Sequence, residues 1–173
     1  MSDGWASLSH KLGELPWATQ SAIKKIAMGQ ATKKVQGTAK RKAPGFSGDL
    51  RKQIYTKTKF EADAIVGVVY SNNEHAAFVE FGTGPEGAAN HSGISPNVSV
   101  SYRTDPWMIP GALLSRKAVN KYWAGRKYDP EALYWTDGQR AQPFLYPALK
   151  ENEEKLPRIF AKVVKDELRR LSI

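Results

Sequence analysis

The sequence predicts an α+β domain in which a long N-terminal helix and a long C-terminal helix pack on an antiparallel sheet, with a loop-rich region inserted before the last helix. Three observations carry that expectation. Apolar residues recur at three- and four-residue steps near both ends, two strand-like runs follow the first such stretch, and Gly, Pro, Ser and Asn crowd the middle. At 173 residues the chain is read as a single domain, 1–173, with 84–135 inserted within it. That length buries about two thirds of the surface an unfolded chain exposes.

Pro16 suits a first helical turn, where its missing N–H costs nothing. From there Ala22, Ile23, Ile26, Ala27, Ala31, Val35 and Ala39 keep helical spacing and predict a helix over about residues 16–42. Small side chains dominate the stripe, so the helix should approach a flat partner closely, with Lys24, Lys25, Lys33, Lys34, Lys40, Arg41 and Lys42 on its wet side and C-terminal end. Pro44, Gly45, Ser47 and Gly48 break it. Residues 50–60 and 64–70, separated by Glu61, Ala62 and Asp63, read as an antiparallel hairpin. The first run alternates, whereas the second is almost continuously apolar and is expected to be the more central.

Ala76–Phe81 fits a strand or a helical turn equally well, because six residues are too few for a period to decide. Residues 82–106 form the longest stretch without pattern, and loops of that length are usually functional or disordered. Leu113, Leu114, Ala118, Tyr122 and Trp123 predict a helix near 110–124, and Leu133–Thr136 a strand entering a turn at Asp137 and Gly138. Leu156, Ile159, Phe160, Val163, Val164, Leu168 and Leu171 predict a last helix over about 143–171, with Pro147 and Pro157 at a first turn or a kink.

The absence of cysteine removes disulfide scaffolds, thiol catalysis and cysteine-based metal sites. No window approaches eighteen apolar residues, and Met1 to Gly4 lack the features of an export signal, so no membrane role is expected. The net charge of +9 is unevenly distributed: residues 1–60 hold twelve basic and three acidic side chains, residues 61–173 fourteen of each. Lys33, Lys34, Lys40, Arg41, Lys42, Arg51, Lys52, Lys57 and Lys59 form a basic surface that either contacts phosphates in a salt-sensitive way or faces a protein partner or solvent. Aromatic residues do not interleave with it, as stacking on single strands requires.

Residues 82–87 spell G-x-G-x-x-G, with Asp105 near the spacing of a ribose ligand. That motif needs a helix beginning at the glycines, and residues 88–93 carry no apolar period, so a flexible loop is expected. His10, His75 and His91 are scattered and lack the spacing of paired metal ligands. Glu74 and Glu80 flank His75, which leaves a weak acid-base option. No nucleophile elbow, Walker loop or paired-carboxylate nuclease signature is present, and the reading is a non-enzyme without cofactor or metal.

Three segments stand in a particular order and spacing along the chain. The first is Ala43-Pro44-Gly45-Phe46-Ser47-Gly48-Asp49-Leu50-Arg51-Lys52-Gln53-Ile54, the second His75-Ala76-Ala77-Phe78-Val79-Glu80-Phe81-Gly82-Thr83, the third Ala141-Gln142-Pro143-Phe144-Leu145-Tyr146-Pro147-Ala148-Leu149. Together they resemble the tail-completion or head-tail joining proteins, often labelled minor tail components, of long-tailed phages and prophages. The likeness spans roughly residues 16–171. The chain differs in having Ser47 where threonine is usual, His75 where tyrosine is usual, and an aromatic-rich insertion over 84–135.

The resemblance implies structural roles for its motif residues. Pro44 and Gly48 end the first helix and turn the chain toward the strand that Leu50 and Arg51 enter. Glu80, beside Phe81, is expected to accept hydrogen bonds from the amides of Gly82 and Thr83, and Pro143, Phe144 and Pro147 to stiffen entry to the last helix. It further implies a virion protein, assembled in the host cytoplasm and placed at the neck. There it forms a ring, commonly of six copies, between the head connector, adaptor or head-closure protein and the tail-tube or terminator protein, in non-specific contact with passing DNA. Such a ring needs two unlike patches of about 800 Å² each. Trp107, Tyr122, Trp123, Tyr128, Tyr134 and Trp135 are candidates for those contacts, and filling a local mini-core is the alternative.

Overall fold

The computed structural model describes residues 2–45, 48–61 and 64–171; Phe46 and Ser47 of the first motif, and Ala62 and Asp63 of the expected hairpin turn, lie outside the described residues. Within these limits the chain is a mixed helix-and-strand fold in two compact units. One comprises residues 1–76 with 143–173, the other residues 77–142.

In the first unit, helix α1 (Ser2–Gly13) precedes the long helix α2 (Trp17–Lys42), and Pro16 caps α2 from just outside. α2 buries Ile23, Ala27, Ala31, Thr32, Val35, Thr38 and Ala39. Ala22 and Ile26, assigned to the same stripe, are instead exposed, because the packed face turns toward Thr32 and Thr38 further along. A short turn of helix, α3 (Asp49–Lys52), replaces the expected beginning of the first strand, with Gly48 in the left-handed region at φ 79° before it. Strands β1 (Ile54–Glu61) and β2 (Ala64–Ser71) then pair antiparallel, Ile54 opposite Ser71 and Phe60 opposite Ile65.

Ile54, Thr56, Thr58 and Phe60 share one face of this hairpin with Ile65, Gly67 and Val69. α2 packs on both strands. The small-residue stripe allows the close approach foreseen for it: a Cβ added to Gly67 collides with Thr32 Oγ1. β2 is not central, contrary to its composition, since among the described residues the sheet has two strands and each is an edge.

The expected last helix is divided in two, α7 (Tyr146–Asn152) and α8 (Leu156–Arg170). Pro147 and Pro157 each occupy a first turn, where the imino nitrogen breaks no intrahelical bond. α8 lies on α2 and α1, and Leu12, Ile23, Ala27, Val163, Val164 and Leu168 form their shared core with Phe160 against it. α1 had passed unnoticed in the sequence, although Leu8 and Leu12 keep helical spacing. The N- and C-terminal helices thus flank a two-stranded antiparallel sheet.

The second unit holds α4 (Ala76–Phe81, whose first residue belongs to the first unit), α5 (Gly84–Ala89), β3 (Trp107–Pro110), a 3-10 turn at Gly111–Leu113, α6 (Arg116–Tyr122) and β4 (Leu133–Thr136). The run read as strand or turn is helical. A short helix does begin at Gly84, against the expectation of a flexible loop, but helix α4 precedes it where a dinucleotide-binding unit needs a strand. The helix foreseen over 110–124 is confined to α6. β4 forms as expected and pairs with β3, which the sequence had not revealed. No described helix is long and apolar enough to cross a membrane.

Candidate assembly surfaces

The first motif is a corner between α2 and the hairpin. Ala43 is buried, and its carbonyl accepts a 2.9 Å hydrogen bond from Arg51 Nε, so the arginine holds the end of the helix α2 just where the chain turns. Leu50 of α3 is buried and Pro44 half-buried. Arg41 donates to Thr38 Oγ1 at 2.9 Å. Thr38 Oγ1 also accepts from Asn152 Nδ2 at 3.0 Å, whose second bond goes to Ala148 O at 2.8 Å. This buried Thr38–Asn152 link joins α2 to α7 directly after the third motif, in which Phe144 is fully buried. Neither partner was singled out from the sequence, since a pair 114 positions apart leaves no local signal.

The second motif forms the stem of the second unit. Thr83 and Gln139 exchange backbone hydrogen bonds of 2.9 and 3.1 Å, Gln139 Nε2 donates to Phe78 O at 2.8 Å, and Gln142 N donates to Val79 O at 2.8 Å. Glu80 is 4% exposed. In the turn that follows, the amide of Gly82 donates to Phe78 O and that of Thr83 to Gln139 O. Phe81 is half-buried and its carbonyl accepts from Tyr102 Oη at 2.8 Å. His75 is exposed.

The basic side chains lie on the outside of the first unit. Lys33, Lys34, Arg41, Lys42, Lys52, Lys57 and Lys59 are exposed and Lys40 half-buried. Lys42 pairs with Glu151 at 2.9 Å, Lys52 with Asp49 at 3.9 Å, and Lys59 with Glu61. The Lys42 hydrogen bond, followed by its charge, holds the Glu151 carboxyl below the ordinary carboxylate range. On the hairpin face away from α2, Tyr55 and Tyr70 are direct cross-strand partners with ring centroids 5.9 Å apart, and Lys57 and Lys59 follow Tyr55 on the same face. One aromatic pair thus stands beside two lysines, whose own cross-strand partners are Val68 and Val66.

The aromatic group divides. Tyr134 is 1% exposed; its hydroxyl accepts from Asp129 N at 2.9 Å, and its ring meets Trp123 edge-on at 5.3 Å. Trp123 Nε1 donates to Trp135 O at 2.7 Å, Trp107 is half-buried under the Arg103 guanidinium, and Tyr128 is half-buried near Arg116. Trp123 and Tyr134 are thus tied into the interior of the second unit, where Val119 is also buried. Trp135, 59% exposed, and Tyr122 point outward instead. Trp135 pairs across the ladder with Met108, and Pro110 with Leu133. All four are exposed, leaving an apolar sheet face on the second unit.

Residues 6–82 match the family model HK97-gp10_like, described as "Bacteriophage HK97-gp10, putative tail-component". No curated protein and no solved structure matches the chain. The matched stretch contains α2, the hairpin, the whole first motif and the second up to Gly82, so the likeness to phage tail components drawn from those motifs holds there; the third motif lies beyond it.

Proposed function

We propose that this HK97-gp10-like chain is a structural, non-catalytic subunit of the phage neck, which completes the tail end, joins head to tail and closes into a ring of copies around the DNA passage. The family match across the corner and the hairpin carries the reading. The exposed face of Met108, Pro110, Leu133 and Trp135 supports it, because a subunit that assembles keeps apolar surface for its neighbours. Its partners are further copies of itself, the head connector or head-closure protein, and the tail-tube or terminator protein. Head–tail joining in a lysate that lacks the chain tests this: added purified protein should yield joined particles carrying it at the junction. Particles that join equally well without it refute the proposal.

A monomeric basic nucleic-acid-binding module is the second reading, favoured by Tyr55 and Tyr70 beside Lys57 and Lys59. It requires a DNA affinity that falls steeply with salt and drops further on Tyr55→Ala, in a chain that joins no particle.

A further inference from the structure

β2 has one partner. Among the described residues its second edge is unpaired. The amide of Asn72 donates to Gln53 O at 3.2 Å, which sets the parity of the ladder: Val66, Val68 and Tyr70 exchange bonds with β1, while the N–H and C=O groups of Ile65, Gly67 and Val69 point outward. Natural edges are usually guarded by charge, proline or a covering group. β1 has such guards in Lys57, Lys59 and Glu61, and Gln36 Nε2 donates to the outward carbonyl of Ile54 at 2.7 Å. β2, from Ala64 to Ser71, holds no charge and no proline.

Beside that edge lies an apolar groove of about 540 Å³, lined by Gly67 and Val69 of β2, Met28 and Val35 of α2, and Leu149 and Phe160 of α7 and α8. A strand added to β2, about 4.8 Å away, places alternate side chains over α2 and into this groove. Because α7 and α8 already line it, the space suits one extended segment and not a second helix-backed hairpin.

The chain contains a segment of matching chemistry. Residues 97–103, Asn-Val-Ser-Val-Ser-Tyr-Arg, alternate apolar and small polar side chains as a strand does, yet belong to no strand among the described residues. Residues 96–99 are exposed, while Tyr102, bonded to Phe81 O, anchors the far end. Like the β2 edge, residues 94–102 carry no charge.

We propose that residues 97–101 of one copy add as a strand to the open β2 edge of a second copy, seating Val98 and Val100 in the groove. The proposal deepens the ring reading and rests on it. Since the chain lacks cysteine, full-length Val69→Cys and Val98→Cys variants can be mixed under assembly conditions and joined with a short thiol crosslinker. A peptide linking position 69 of one copy to position 98 of the other is expected. Val98→Asp with Val100→Asp should weaken self-association roughly a hundredfold through two lost apolar burials, with the thermal midpoint unchanged because both sites are outside the cores. If the wild type assembles and the double variant assembles equally, or the assembled mixture yields no peptide linking position 69 of one copy to position 98 of another, the strand addition is wrong and the ring stands. A chain that stays monomeric even in joined particles overturns both.

Discussion

The contact between α2 and β2 can be tested at a single methyl group. Gly67 faces α2, and a Cβ added there collides with Thr32 Oγ1, while its next neighbours are Met28 Sδ at 3.0 Å and Cγ at 3.2 Å. Thr32 is buried and β-branched on a helix, so few alternative rotamers exist to relieve the collision. Gly67→Ala should therefore cost about 2 kcal/mol, the middle of the range for overpacked cores, lowering the melting temperature by about 6 to 10 °C for a unit of this size. Thr32→Ala removes a methyl and the 2.7 Å bond from Oγ1 to Met28 O, but gains helix propensity, and should cost about 1 kcal/mol or less. In the Thr32→Ala background the remaining obstruction is a flexible thioether, so Gly67→Ala should then cost under about 0.5 kcal/mol. The double-mutant cycle, measured by urea unfolding of the four proteins, should give a favourable coupling of about 1.5 kcal/mol. Costs that add to within about 0.3 kcal/mol would refute the close approach.

Other outcomes follow from the buried links. Asn152→Ala removes two hydrogen bonds from a site that is 1% exposed and should lower unfolding free energy by about 2 kcal/mol in denaturant titrations. Gly138 has φ 94°, and a Cβ there collides with Thr83 O, so Gly138→Ala should destabilise the second unit by about 3 kcal/mol or more, read as lost amide protection at Thr83 and Gln139. Glu151 should titrate by NMR below the ordinary carboxylate range and move upward in Lys42→Met. Its folded pKa being depressed, the pair stabilises above the unfolded carboxylate pKa, and that contribution is lost as pH falls through the folded value.

The parts legible in the sequence were those whose signal is local. α2 shows its period over seven turns, and the prolines of α7 and α8 mark their own first turns. The hairpin was legible because an alternating run and an apolar run adjoin. Ile26 was misplaced because a helical stripe does not reveal which of its flanks is covered. The bonding of Thr83 to Gln139 was hidden because it pairs residues 56 positions apart. The aromatic cluster split into Tyr134 inside and Trp135 outside only once β3 and β4 paired, since adjacent strand residues face opposite ways.

By itself, then, the sequence determined a mixed fold framed by terminal helices, an excess of positive charge confined to the first sixty residues, and two motifs that carry the likeness to phage tail components. Spacing and charge are properties of the chain, present before it folds. Only the tertiary structure decided that the most apolar strand is an edge, that a tyrosine pair stands beside lysines on the hairpin face, and that Asn152 locks onto Thr38. Pairing and burial depend on residues brought together from distant positions, and no window along the chain contains both partners.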